Sequence, residues 1–285
     1  VEDDQTLRNL LDAKTEVVCI VGKASAYHVT EALRTSLEEG IAMVEESVRF
    51  LKGKDLKVFF DAEHFFDGYK ENSDFSLDVL EGAARGGADC VVLCDTNGGS
   101  LPHEVEKIVE EVSGKIDCEI GVHLHNDTGC GVANAIAGVM GGATQVQGTI
   151  NGYGERVGNC DLVPVIANLS LKLGFETISK DYLENLTSVS RHIAELVNFA
   201  SDPQQPYVGT KAFAHKAGLH TSAIVRRRDA YEHIDPESVG NGTRFLVSEM
   251  SGRSTIELKV KEIGIDLDAG IIGEVVETLK ELEYE

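Results

Sequence analysis

The sequence predicts an α/β fold: a partial TIM (β/α)8 barrel of about five βα units, followed by a small helical subdomain. Three observations predict it. Five apolar, strand-like segments alternate with helical patterns, glycine pairs stand between a helix and the next strand, and polar residues follow one strand after another. Strands that alternate with helices form parallel sheets covered by helices.

The elements can be placed from apolar periodicity and from helix-stop residues. The predicted strands cover residues 17–22, 57–63, 88–95, 119–125 and 144–150. The predicted helices cover residues 29–51, 76–85, 102–113, 132–140 and 162–173. Alternation alone fits an open, doubly wound sheet as well as part of a barrel.

The strand ends favour the barrel. Polar groups at the C-terminal ends of successive strands describe the active face of a TIM barrel, whereas a doubly wound sheet concentrates its site at one switch point. The polar residues in question are Lys23, Asp61, Glu63, Asp95, Thr96, His123, His125 and Asn151.

The regular alternation stops after Leu173. A long helix is predicted over residues 182–199, a proline-containing linker over 202–206, and short helices near 255–263 and 269–282. We therefore expect a barrel domain over residues 1–178 and a helical linker and subdomain over 179–285. Residues 1–16 read as the tail of a preceding helix, so we expect three N-terminal barrel units to be missing.

Composition limits the function classes. The chain has 285 residues, of which 42% are hydrophobic and 26% charged, so it can bury a sizeable core. Its net charge of −22 argues against nucleic-acid or anionic-membrane partners. No apolar run is long enough to cross a bilayer, and six cysteines without a C-x-x-C pair suggest reduced thiols in the cytoplasm.

The stretch from Gly121 to Gly129 contains the strongest local signal for a functional site. In a strand, His123 and His125 point to one face, so they form a plausible metal-binding edge next to Asn126 and Asp127. Histidines satisfied by hydrogen bonds remain an alternative. Spacing alone does not decide between the two.

Two further strand ends carry candidate residues. Glu63 shares a strand face with Asp61 and could bind a metal, act as a base or orient another group. The alternative is a strand-end carboxylate that caps a helix or pairs with Lys70. Thr96 opens a glycine-rich turn and could offer its hydroxyl to an anion, although such βα turns are common.

Two loops complete the set of candidates. The glycine spacing between Asn151 and Asn159 does not match a dinucleotide fingerprint, which leaves a polar loop in which Asn159 can supply an amide oxygen. His215 and His220 are five residues apart and do not share a helix face, so joint ligation is not expected; a loop that packs on the barrel mouth is the alternative.

Together these motifs resemble the 2-isopropylmalate synthase-like family of Claisen-condensing enzymes (the DRE-TIM metallolyases). The general family motifs are Ile120-x-x-His-x-His-Asn-Asp-x-Gly129, Asn151-Gly-x-Gly-Glu-Arg-x-Gly-Asn159 and Phe213-x-His-x-x-Gly-x-His220. The segments most similar to its citramalate synthase branch are Phe60-Asp-Ala-Glu-His-Phe-Phe-Asp-Gly68, Cys94-Asp-Thr-Asn-Gly-Gly99 and Ala143-Thr-Gln-Val-Gln-Gly-Thr-Ile-Asn151. The similarity runs along essentially the whole chain.

The resemblance implies an acyltransferase that condenses acetyl-CoA with a 2-oxo acid and releases CoA in branched-chain amino acid synthesis. For the citramalate branch the 2-oxo acid is pyruvate, on a route to isoleucine. It also implies a homodimer and a divalent metal, Mg²⁺, Mn²⁺ or Zn²⁺.

The resemblance also assigns roles to the candidate residues. His123, His125 and Asn159 would form the metal site. Glu63 would belong to the base machinery, and His220 would assist the enolisation of acetyl-CoA. Thr96 and Asp61 would bind the 2-oxo acid.

The family pattern is incomplete in this chain. The first-strand motif that supplies a metal-ligating aspartate and a catalytic arginine is absent, and the chain stops before the family's regulatory domain. We therefore expect a fragment that is inactive alone.

Other functions remain open. Isopropylmalate and homocitrate synthase are close alternatives, and a non-catalytic binding or regulatory subunit is an alternative of another class. A hydroxymethylglutaryl-CoA lyase is disfavoured because the loop at Gly152 lacks its cysteine.

Overall fold

The computed structural model describes residues 1–247, 252–265 and 267–282. The chain forms two compact units, Val1–Val165 and Ile166–Glu285. The predicted domain boundary at residue 178 lies further along the chain and stays a prediction.

The first unit contains a five-stranded parallel sheet. Its strands are β1 (Val17–Lys23), β2 (Lys57–Glu63), β3 (Cys90–Asp95), β4 (Glu119–Leu124) and β5 (Gln145–Gln147). Each strand pairs with the next in chain order, without a reversal. A doubly wound sheet reverses its strand order at a switch point, whereas a TIM barrel does not. The prediction of a partial TIM barrel is therefore confirmed.

Helices follow the strands, as expected for right-handed βα units. The first unit contains α1 (Gln5–Asp12), α2 (Leu37–Lys52), α3 (Phe65–Glu71), α4 (Ser73–Gly86), α5 (Pro102–Ser113), α6 (Gly131–Met140) and the start of α7 (Leu162–Leu171). Short helical turns occupy His28–Leu33, with π-helical hydrogen bonding, and Ile150–Gly152, with 3₁₀ bonding.

The sheet centre forms the core. All six residues of β3 are buried, as expected for a parallel strand covered on both faces. On β1 only Val18 is fully buried, and the side chain of Val21 is 64% exposed. Within the described residues β1 pairs with β2 alone. The strand ends that carry Thr96 and His123 therefore extend from the buried centre of the sheet.

One predicted helix is interrupted. The sequence predicts a single helix over residues 29–51, but the π-helical turn ends at Arg34, whose φ of 57° is left-handed. Ser36 then caps α2 by accepting a hydrogen bond from the Glu39 N–H. The single-helix prediction is wrong because apolar periodicity continues across a break that local backbone geometry and a serine cap impose.

The second unit is mainly helical. It contains the rest of α7, then α8 (Lys180–Leu183), α9 (Leu186–Leu196), α10 (Gly218–Arg226), α11 (Arg253–Glu262) and α12 (Ala269–Leu282), with short 3₁₀ turns at Arg228–Ala230 and Pro236–Val239. The predicted long helix over residues 182–199 is wrong: it is divided at Glu184 and Asn185, between α8 and α9. Two short strands, β6 (Ala214–His215) and β7 (Arg244–Phe245), form a parallel ladder that the sequence does not predict.

Every helix in the described ranges is too short or too polar to span a bilayer.

Candidate metal centre and active site

The two histidines of the β4 segment lie side by side. His123 is within β4, and His125 follows it in an isolated antiparallel bridge with Asn159. Their ring centroids are 5.4 Å apart, with 44° between the ring planes. Even spacing along an extended segment places both imidazoles on one face. The structure therefore brings these two predicted ligands together.

Asn159 is held beside His125 by backbone hydrogen bonds. The Asn126 N–H donates to the Gly158 carbonyl at 3.0 Å, and the Cys160 N–H donates to the Leu124 carbonyl at 2.8 Å. The Asn159 side-chain amide donates from Nδ2 to the Tyr153 carbonyl at 3.1 Å, which leaves its Oδ1 as a free acceptor. All three predicted metal ligands thus lie at the C-terminal end of β4.

Two of the buried polar atoms without partners lie in this site. Within the part of the chain that the structure describes, neither Nδ1 of His125 nor Oδ1 of Asn159 has a hydrogen-bond partner, although both atoms are buried. Burial, followed by the charges of His123 and Arg156, lowers the pKa of His125 and keeps the imidazole neutral. A neutral imidazole and an amide oxygen are both metal donors, so these residues fit a divalent cation.

The ligand set is partial. Among residues 1–247, 252–265 and 267–282, no group of three or more His, Cys, Asp or Glu side chains is arranged to hold a metal ion. His123 and His125 supply only two such side chains, and Asn159 adds an amide. These donors would by themselves fill only part of a coordination shell.

The two carboxylates of β2 have different surroundings. Asp61 is buried, and its Oδ1 accepts hydrogen bonds from Cys19 Sγ at 3.1 Å and from Gln147 Nε2 at 2.9 Å. Glu63 forms an ion pair with Lys23, which faces it in the β1–β2 register. The alternative of a Glu63–Lys70 pair is wrong, because Lys70 contacts Glu104 at 2.9 Å instead.

Thr96 lies where β3 ends. Its Oγ1 accepts a hydrogen bond from the His64 N–H at 2.8 Å, which leaves the hydroxyl proton free to be donated. The following turn approaches another loop closely at Gly98, whose φ is +64°; a Cβ there would lie 2.4 Å from Asp127 Oδ2. A glycine is therefore required at this crossing of two strand-end loops.

Arg156 joins three of the strand-end loops, which the sequence analysis did not predict. Its guanidinium contacts Asp127 through Nε at 2.8 Å and Nη2 at 2.9 Å, and Nη2 also donates to the Thr96 carbonyl at 2.9 Å. The Arg156 side chain holds the pKa of Asp127 below its usual range. The position of Arg156 in the Asn151–Asn159 motif was the available signal, since planar two-point pairing with a carboxylate is a typical use of arginine.

Two more residues near the site were not predicted from the sequence. They are Gln147 and Cys19, whose thiol contacts Asp61. Gln147 Oε1 lies 2.8 Å from His123 Nδ1, while its Nε2 contacts Asp61. The signal was the alternation of Gln145 and Gln147 in β5, which places both amides on the face used by His123.

His220 lies in α10 of the second unit, where its ring stacks on Tyr231 with centroids 4.1 Å apart. His215 instead lies 3.5 Å from the buried carboxylate of Glu232. The two histidines therefore have separate environments, as their spacing predicts. The role predicted for His220 stays a prediction.

Comparison with known families supports the resemblance seen in the motifs. The HMGL-like family model matches residues 2–193, and the model described as homocitrate synthase post-HMGL domain-like matches residues 207–285. Together the two matches cover most of both compact units.

Curated relatives include citramalate and isopropylmalate synthases. An (R)-citramalate synthase of Streptomyces coelicolor is 51% identical over 99% of this chain and 53% of its own length, and one of Aquifex aeolicus is 48% identical over 100% and 54%. The chain thus spans about half the length of these relatives. A 2-isopropylmalate synthase of Sulfolobus acidocaldarius is 35% identical over 98% of this chain and 71% of that protein.

A solved structure agrees with the fold. An HMG-CoA lyase from Bacillus subtilis, 21% identical, gives a TM-score of 0.60 and covers 69% of this chain and 68% of that one. At this identity the likeness supports the fold alone. Because the family model matches more than half of the chain, the predicted family resemblance is confirmed: the chain belongs to the HMGL-like family, in the group that includes the citramalate and 2-isopropylmalate synthases.

Proposed function

We propose that the protein is an acyltransferase that condenses acetyl-CoA with pyruvate to give citramalate and free CoA, with a divalent metal, on a route to isoleucine. The observation that carries the proposal is 48–51% identity to two (R)-citramalate synthases along nearly the whole chain. The isopropylmalate synthase relative is only 35% identical, which favours pyruvate over a larger 2-oxo acid.

His123, His125 and Asn159 would hold the metal through two imidazoles and an amide oxygen. A bound divalent cation supplies Lewis-acid polarisation of the ketone and neutralises the carboxylate of the 2-oxo acid. The unpartnered His125 Nδ1 and Asn159 Oδ1 support this assignment, because a cation can bind an amide oxygen, or a ring nitrogen in its unprotonated form, that has no hydrogen-bond donor.

The condensation needs a proton to be removed from the methyl carbon of acetyl-CoA, which is a very weak acid. That carbon then forms a bond to the ketone carbon of pyruvate, whose oxygen takes up a proton, and water hydrolyses the thioester to release CoA. We assign Glu63 to the base machinery, with its carboxylate held by Lys23. We assign His220 to stabilisation of the enolate that forms when the proton leaves.

Thr96 and Asp61 would serve the 2-oxo acid. The Thr96 hydroxyl already accepts a hydrogen bond from His64, so its own proton can be donated to the substrate carboxylate. Asp61 accepts hydrogen bonds from two neighbours and would contribute to the shape and polarity of the pocket.

We further propose that the protein is a homodimer in the cytoplasm. Along the chain, the boundary between the barrel domain and the helical subdomain would fall near residue 178. All six cysteines of the chain are free, which fits a reducing compartment.

A CoA-release assay on the full gene product tests the proposal. The product is offered acetyl-CoA with pyruvate, 2-oxoisovalerate or 2-oxoglutarate, and we expect the highest kcat/KM with pyruvate. His123→Ala should abolish metal-dependent turnover, whereas His103→Ala, at an exposed position on α5, should leave it unchanged.

The other outcomes identify the alternatives. Preference for 2-oxoisovalerate or 2-oxoglutarate would instead assign an isopropylmalate or homocitrate synthase. Absence of CoA release with every acid would favour the non-catalytic subunit.

A further inference from the structure

Gln147 connects a predicted metal ligand to a buried carboxylate. It lies opposite His123 in the parallel register of β4 and β5. Its Oε1 is 2.8 Å from His123 Nδ1, and its Nε2 is 2.9 Å from Asp61 Oδ1. One side chain therefore links the end of β4 to β2, which lies two strands away in the sheet.

The chemistry of Asp61 fixes which way the Gln147 amide faces. A carboxylate can only accept hydrogen bonds, so the amide must turn its NH₂ group toward Asp61. The Cys19 thiol donates a hydrogen bond to the same Asp61 oxygen, with 3.1 Å between Sγ and Oδ1. Although Cys19 is partly exposed, desolvation of its thiol and the neighbouring Asp61 charge raise its pKa to about 12, so the thiol stays protonated as a donor.

The orientation of the amide in turn fixes the histidine tautomer. With its NH₂ group on Asp61, Gln147 presents a carbonyl oxygen to His123, and a carbonyl oxygen can only accept. His123 must therefore carry a proton on Nδ1. In a neutral imidazole the other nitrogen, Nε2, then keeps its lone pair.

We propose that Gln147 is a positioning residue that holds His123 in the Nδ1–H tautomer, with the Nε2 lone pair available to a divalent cation. This inference rests on the proposed function for the cation, whereas the hydrogen bonds that carry it join only Gln147, Asp61 and His123. Partners that fix a ligand's tautomer and ring orientation affect metal affinity by about 10–100-fold.

The test is nitrogen NMR of the metal-free protein with ¹⁵N-labelled histidine. The His123 signals are identified by their loss in His123→Gln. We expect the wild type to show His123 protonated at Nδ1 and not at Nε2. A wild-type His123 protonated at Nε2 would overturn the proposal without any variant having to fold.

The matched pair of variants is Gln147→Leu and Gln145→Leu. Gln145 lies on the same strand and face, but its Oε1 contacts Cys90 Sγ at 3.5 Å and not a histidine. We expect Gln147→Leu to lose the Nδ1–H preference and to weaken Mn²⁺ binding by about 10–100-fold, with Gln145→Leu unchanged. An unaltered tautomer and Mn²⁺ affinity in Gln147→Leu would overturn the proposal.

The measurement separates this inference from the proposed function. A wild type that holds the Nδ1–H tautomer, loses it in Gln147→Leu and binds no Mn²⁺ would support positioning by Gln147 while contradicting the proposed metal site.

Discussion

Polar groups at the two ends of the five-stranded sheet differ in their hydrogen bonding. At the N-terminal end, Asp89 directly precedes β3, and its carboxylate contacts Lys52 Nζ at 2.8 and 3.0 Å and the Val58 N–H at 2.7 Å. At the C-terminal end, His125 and Asn159 each keep a buried atom without a partner among the described residues. The Asp89 carboxylate is thus paired at one end, whereas His125 and Asn159 leave donor atoms available at the other.

This difference fits the general division of labour in barrels. Residues at the N-terminal face stabilise the fold, while those at the C-terminal face carry the chemistry. A buried polar atom without a partner costs stability, so its persistence at a strand end points to a ligand. Substitutions of the polar side chains at the two ends should therefore separate stability from cation binding, whereas a change that strains the backbone lowers stability at either end.

The largest expected effect on stability comes from Gly158→Ala, in the loop that places Asn159. Gly158 has a φ of +98°, and a Cβ there would lie 1.9 Å from the Gly152 carbonyl oxygen. The left-handed backbone and the clash together should lower the free energy of unfolding by about 2–5 kcal/mol. Urea denaturation followed by circular dichroism measures the change.

Gly174→Ala is the control, since Gly174 has a φ of +75° with nothing within 4 Å of the added Cβ. This variant should lower the unfolding free energy only by the cost of a left-handed backbone at alanine, about 1–2 kcal/mol. Equal losses in the two variants would mean that the Gly158 loop relaxes, and the close packing beside Asn159 would then not be required.

Asp89→Asn tests the paired end of the sheet. Burial by itself would raise the pKa of Asp89, but hydrogen bonds from Lys52 and the Val58 N–H outweigh it and lower the pKa. We expect the variant to lose about 1–2 kcal/mol of unfolding free energy at pH 7, with Mn²⁺ affinity unchanged. Denaturation at several pH values measures the first quantity, and titration calorimetry the second.

The sign of the pH dependence follows from the lowered pKa. The carboxylate contributes stability above its unfolded pKa of about 3.9, and this is lost as the pH falls through the lower folded value. The difference in unfolding free energy between the wild type and Asp89→Asn should therefore disappear at acidic pH. Asp78→Asn, at an exposed position on α4, is the control. If it changed the unfolding free energy as much as Asp89→Asn does, the Asp89 contacts would have no special role.

Much of the sheet could be predicted from the sequence. The predicted strand at residues 57–63 agrees with β2, and the others differ mainly at their ends. Period-two apolar patterns and glycine helix stops are local signals, so they predict these elements without knowledge of tertiary contacts. The same period placed His123 and His125 on one face, because the strand geometry fixes that relation.

Contacts between distant residues were less predictable. The Lys23–Glu63 pair and the Asp61–Gln147–His123 chain depend on strand register, which one sequence does not specify. Gln147 was overlooked because a glutamine in a strand-end motif looks like an ordinary polar residue until its two partners are known. Helix breaks such as the one at Arg34 were missed because apolar periodicity continued across them.

The central claim is that the strand-end site at His125 holds a divalent cation, and Mn²⁺ titration of the 285-residue chain and its His125→Leu variant tests it most directly. Leucine removes a buried nitrogen that has no partner among the described residues, so the unfolding free energy should change by only about 0.5 kcal/mol. We predict one saturable Mn²⁺ site in the wild type and in His103→Leu, weakened more than about 100-fold in His125→Leu. Equal Mn²⁺ affinity in all three proteins would contradict the claim.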